Sequence, residues 1–156
     1  MPETYVVVGS YYPDERLWEF RRSLDAALRW HPDYAVLVNE QRGTTRRPSG
    51  FAVIYNALIN AAFADPQCRF VWVLGDDVKF SQAETLVMTE RVIREDPTIG
   101  AIFPVEAWGD NNETLLPPLG KPAHVNEAMN SGEPLFEQLF AGFACACIRR
   151  EAWEAV

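Results

Sequence analysis

Positive charge is scarce in this chain. Fourteen lysines and arginines stand against 22 acidic residues, for a formal net charge of −8 over 156 residues. That balance argues against nucleic acid or an anionic membrane as the main partner, because either demands a basic face. Cysteine is also sparse, at three residues, an odd number that supports no disulfide framework. Cys145 and Cys147 sit two apart on a predicted strand and share one face. A lone C-x-C without a second ligand pair is a poor zinc signature, so all three are expected to be reduced thiols of the core in a cytoplasmic protein. No apolar run is long enough to span a bilayer, and Met1-Pro2-Glu3-Thr4 lacks the basic start of a signal peptide. Internal repeats and low-complexity tracts are absent too.

What is present reads as a globular α/β protein. The hydrophobic content of 48%, with 12% aromatic residues, excludes general disorder. The length suits one domain over residues 1–156. Residues 4–9 predict a first strand, and Asp14 can cap a helix in which Leu17, Phe20, Leu24, Ala27 and Leu28 recur at helical spacing. A second strand is expected over 34–38, then a polar loop carrying Arg42, Arg46 and Arg47. Residues 50–63 are apolar nearly all round, which predicts a largely buried helix. Ser81-Gln82-Ala83-Glu84 reads as a capping box opening a helix that Asp96-Pro97 ends. Short strands follow over 100–105 and 140–148, with a final helix beginning near Arg149. Between them, residues 106–133 shift to Pro, Gly, Asn and acids, and a connection of that kind is expected to be a mobile loop or lid. Alternating strands and helices imply a three-layer α/β/α architecture around a mostly parallel sheet.

The strongest local signal is Phe70 through Leu74, a continuous apolar run that stops at Gly75-Asp76-Asp77. Such a run marks a strand buried on both faces. The crevice beyond the carboxyl ends of such strands is where open α/β sheets bind ligands. Paired carboxylates there offer hard oxygens suited to Mg²⁺ or Mn²⁺, and a bound cation would hold a phosphate-bearing ligand. The plain alternative is a solvated turn ending a strand.

Several features in order carry a resemblance. A first strand ending in Gly9-Ser10-Tyr11-Tyr12-Pro13 comes first, then a helix carrying Gly50 and Tyr55-Asn56-Ala57. The Leu74-Gly75-Asp76-Asp77-Val78 strand end follows, and late in the chain Phe143-Ala144-Cys145-Ala146-Cys147-Ile148 runs into Arg149-Arg150-Glu151-Ala152-Trp153. Together they resemble the family 2 type glycosyltransferases of the GT-A fold, over most of the chain. The resemblance implies a nucleotide-sugar donor, a divalent cation (Mn²⁺ or Mg²⁺) on its diphosphate, and transfer of the glycosyl group to an acceptor hydroxyl.

Residue by residue, it implies Asp77 and Asp76 as metal ligands, Asp77 in the usual ligand position, with Asp76 also near the nucleotide sugar. It implies donor contacts from Ser10, Tyr11, Tyr12, Asn39 and Asn56. Either tyrosine ring can stack on a base, and Asn39, where the family usually has an Asp, can still donate and accept at a base edge. Each has a structural alternative: one tyrosine packing on the first helix, Asn56 tying down a loop, the loop arginines merely solvated, Lys79 balancing charge, and His124 on the surface.

Inverting members of that family carry an acidic base beyond the segment matched by residues 149–153, whereas this chain ends at Val156. Two expectations follow: a donor-binding module that binds better than it turns over, or a base drawn from the acidic stretch holding Glu106, Asp110 beside Trp108, Glu113 and Glu133. A nucleotidyltransferase is disfavoured, because the turn after the first strand is too aromatic and rigid to act as a Gly-rich phosphate loop.

Overall fold

A computed structural model describes residues 2–10, 14–29, 33–40, 51–76, 78, 80, 84–104 and 145–156. These belong to one compact unit built from residues 1–104 and 143–156. The strands are β1 (Thr4–Ser10), β2 (Ala35–Glu40), β3 (Phe70–Gly75), β4 (Ala101–Ile102) and β5 (Cys145–Arg149); the helices are α1 (Asp14–Leu28), α2 (Phe51–Phe63), α3 (Thr85–Glu95) and α4 (Arg150–Glu154). They form one five-stranded sheet in the order β2-β1-β3-β5-β4. As the sequence predicts, β1 pairs in parallel with both β2 and β3. Only β5 runs against its neighbours, antiparallel to β3 and to β4.

Strand alternation divides the core into two layers. Val6, Val8, Phe70, Trp72, Leu74, Cys145 and Cys147 pack with Phe20, Leu24 and Ala27 of α1 and Leu86 and Ile93 of α3. Val7, Val71, Val73 and Ile148 pack on the other side with Tyr55, Ile59, Ala62 and Phe63 of α2, joined by Trp153 of α4. Because β1 and β3 are covered on both faces, they read as unbroken apolar runs. The three cysteines are buried free thiols. Burial pushes the Cys68 thiol up to about 11, which leaves it inert.

Two local expectations need correction. The helix expected to be largely buried is half exposed: Ile54, Tyr55 and Ile59 are buried, but Val53 is 63% exposed and Asn56, Ala57, Asn60 and Ala61 also face outward. One stripe suffices to seat a helix on a sheet, and alanines on the outer side carry no information about which stripe that is. The helix expected to open with a capping box starts at Thr85 instead. Glu84 stands at its N-cap and makes no side-chain capping bond.

Gly100, just before β4, is closely covered by α4. A Cβ at this position would lie 2.8 Å from the Cβ of Ala152 on α4. Trp153 completes the docking of α4 by donating its indole N–H to Asn60 Oδ1 at 2.9 Å.

Candidate functional site

The three parallel strands end together. Register pairs Gly9 with both Asn39 and Gly75, and Ser10 with Glu40, so Ser10, Asn39, Glu40 and Asp76 close adjacent strands on one edge of the sheet. Neighbouring strands lie about 4.8 Å apart, which brings these residues within reach of one small ligand. Ser10 and Asp76 are each only 4% exposed. A tight turn follows β3, closed by the Val78 N–H donating to the Gly75 carbonyl at 3.3 Å. The Phe80 N–H donates to Ser23 Oγ of α1 at 2.9 Å.

Tyr55, a residue that sequence reasoning passed over in favour of its neighbour Asn56, lies at the centre of this edge. It is 2% exposed. Its hydroxyl accepts from the Gly9 N–H at 3.1 Å and donates to the Leu74 carbonyl at 2.7 Å. The available signal was chemical: a tyrosine on an apolar, core-facing helix must bring its hydroxyl to a partner. Asn56 itself is exposed on α2. Of the other sequence-predicted site residues, Asn39 is placed by its backbone alone, and Tyr11, Tyr12 and Asp77 lie outside the described residues. So do Arg42, Arg46, Arg47, Lys79, His124 and the acidic stretch 106–133.

At the opposite edge, polar side chains are tied to the scaffold. Arg149 bonds the carbonyls of Ile99 at 3.0 Å and Asp96 at 3.1 Å, and also that of Ile93, capping the end of α3. Arg150, next in sequence but serving the other layer, bonds the carbonyls of Phe63 at 2.8 Å and Cys68 at 2.7 Å, and that of Asp65, capping the end of α2. Cations suit helix C-termini because they meet unpaired carbonyls and the negative end of the dipole. Glu90, 3% exposed, collects Thr4 Oγ1 at 2.9 Å, Arg94 Nε at 2.7 Å, Trp72 Nε1 at 3.3 Å and the Tyr34 hydroxyl. Burial, followed by the adjacent Glu90 carboxylate, holds the Tyr34 phenol well above its usual range. That hydroxyl therefore stays a donor.

No protein-family model and no curated protein matches this sequence. Among solved structures, the chain is similar to the crystal structure of a glycosyltransferase involved in the glycosylation of the major capsid of PBCV-1. The TM-score is 0.54 and the identity 13%, and the match covers 99% of this chain. The chain spans 63% of that protein's length. At this identity the likeness is one of fold: a glycosyltransferase-like, GT-A-like α/β architecture. Among the described residues, no helix is long and apolar enough to cross a membrane.

Proposed function

We propose that the carboxyl edge of the sheet is a donor site for a nucleotide sugar held with a divalent cation, and that the protein transfers the glycosyl group to an acceptor hydroxyl on a saccharide or other compound. The chief support is the convergence of two buried polar residues, Ser10 and Asp76, at the ends of adjacent parallel strands. Open α/β sheets take their ligands at that edge, and a solved glycosyltransferase shares the fold. The three buried free thiols suit a cytoplasmic setting.

The donor set fits Mn²⁺ or Mg²⁺. Such ions take one or two carboxylates and complete their shell with phosphate oxygens and water. Asp77, with Asp76 beside it in sequence, would share the cation with the diphosphate; among the described residues no group of three or more potential ligands is found. When bound, the cation would offset charge developing on the departing diphosphate. Asn39 would bond the base edge, a ring of Tyr11 or Tyr12 would stack on the base, and Ser10 and Asn56 would contact the donor. A carboxylate base would take the acceptor proton.

The test is a thermal-shift panel of UDP, GDP and dTDP and their sugars, each with and without Mn²⁺, beside transfer assays. Binding to the native state raises stability by mass action, by about 2.7 kcal/mol at a hundredfold excess over Kd. Asp77→Ala should abolish the Mn²⁺-dependent shift while leaving the fold intact. Binding without transfer would identify a non-catalytic donor-binding module. No metal-dependent shift with any nucleotide would overturn the proposal.

A further inference from the structure

The last paired rung between β1 and β3 is Gly9 with Gly75, immediately followed on each strand by Ser10 and Asp76. Two glycines at the rung that aims the site are a weak anchor, because glycine backbone is the least restricted of any residue. The anchor comes from a third element. The Tyr55 hydroxyl of α2 stands between a donor of β1 and an acceptor of β3, taking the Gly9 N–H at 3.1 Å and giving its proton to the Leu74 carbonyl at 2.7 Å. The ring packs closely over residue 9, where the lack of a side chain leaves it room. A Cβ there would lie 3.3 Å from the Tyr55 ring and 3.2 Å from Ile54 Cγ2.

A phenylalanine would fill the same volume without bringing a buried polar group that must find partners. What the hydroxyl adds to the ring is therefore the bridge between strand ends.

We propose that Tyr55 is a positioning residue for the carboxyl edge, its hydroxyl fixing the ends of β1 and β3 so that Ser10 and Asp76 are held in register for a ligand. The ligand half of this proposal rests on the donor-site reading above; the geometric half stands on the strand ends alone. Two measurements separate them. In Tyr55→Phe, amide exchange at Gly9 is expected to speed up about five- to tenfold, the yield of one lost hydrogen bond. The amide resonances of Ser10, Gly75 and Asp76 should move while those of Val7 and Val71 stay. Calorimetry with UDP, GDP and dTDP plus Mn²⁺ should show affinity down by about tenfold or more. Ile59→Val, one turn along the same helix, is the control: it loosens packing and should leave that affinity unchanged.

A merely structural tyrosine would lower stability in both variants and affinity in neither. Unchanged Gly9 exchange in Tyr55→Phe would overturn the proposal, as would wild-type affinity in that variant. If the wild-type protein binds no nucleotide, the donor-site reading falls, and the exchange result alone decides whether Tyr55 positions the edge.

Discussion

The two edges of the sheet use polar residues in opposite ways. At the amino edge several charged groups are spent on the fold: Arg149 and Arg150 each hold main-chain carbonyls, and Glu90 joins α3 to β1, β3 and the entry to β2 through Thr4, Trp72 and Tyr34. At the carboxyl edge the main-chain bridge is made by a neutral tyrosine, and the polar side chains that end the strands are Ser10 and Asp76. The amino edge ties its charges to the scaffold, whereas the carboxyl edge ends in a serine and a carboxylate where open α/β sheets take their ligands. On the donor-site proposal, the first edge serves stability and the second serves binding.

The largest expected effect comes from breaking the amino edge at its most buried point. Glu90→Ala removes one of the two carboxylates that Arg94 holds and the acceptor of three further donors, and should cost about 3 kcal/mol or more in urea unfolding, as several charge-assisted bonds at one buried carboxylate are lost. Nucleotide affinity of the folded fraction should not change. Arg150→Ala comes next. It removes the guanidinium donor from the carbonyls of Phe63, Asp65 and Cys68, of which Asp65 keeps the Cys68 N–H, and about 2–3 kcal/mol is expected for charge-assisted bonds of this kind. If either variant weakened nucleotide binding while remaining folded, the division between the edges would fail.

The smallest effect is on pH dependence. The Gln67 N–H, followed by the Tyr5 hydroxyl, holds the Asp65 carboxyl below its ordinary 3.8. The Thr98 side chain, followed by its backbone N–H, does the same for Asp96. Carboxyls depressed in the folded state contribute stability that is complete above 3.8. That contribution fades as pH falls through the lower folded-state value. Between about pH 6 and about pH 3, wild-type protein should therefore lose more stability than the Asp65→Asn/Asp96→Asn double variant. Equal losses would remove these loops from the account.

How much of this was legible in the sequence depended on whether a pattern had one physical cause. The 70–74 run could only be a strand covered twice, and it is; the parallel neighbours β1, β2 and β3 follow from the alternation of elements. Asp96-Pro97 stops α3 as expected, with Asp96 at the C-cap. Arg149-Arg150 was ambiguous, because a charged pair at a strand-helix junction fits solvent as well as it fits carbonyls. The burial of Glu90 follows from its spacing: it sits four residues after Leu86 and three before Ile93, on the buried stripe of α3. In α2 the alanines blurred the buried face, which hid both the exposure of Asn56 and the reach of Tyr55.

If ligand and cation meet at the carboxyl edge, Mn²⁺ will reveal it, because its unpaired electrons broaden nearby amide resonances steeply with distance. β3 alone spans about 20 Å from one edge to the other, enough to separate them. With a nucleoside diphosphate present, substoichiometric Mn²⁺ should broaden Ser10, Glu40, Gly75 and Asp76 and spare Phe70, Arg149 and Arg150. Broadening centred on Phe70, Arg149 and Arg150, or the same pattern with and without nucleotide, would mean that the cation and ligand do not share the carboxyl edge.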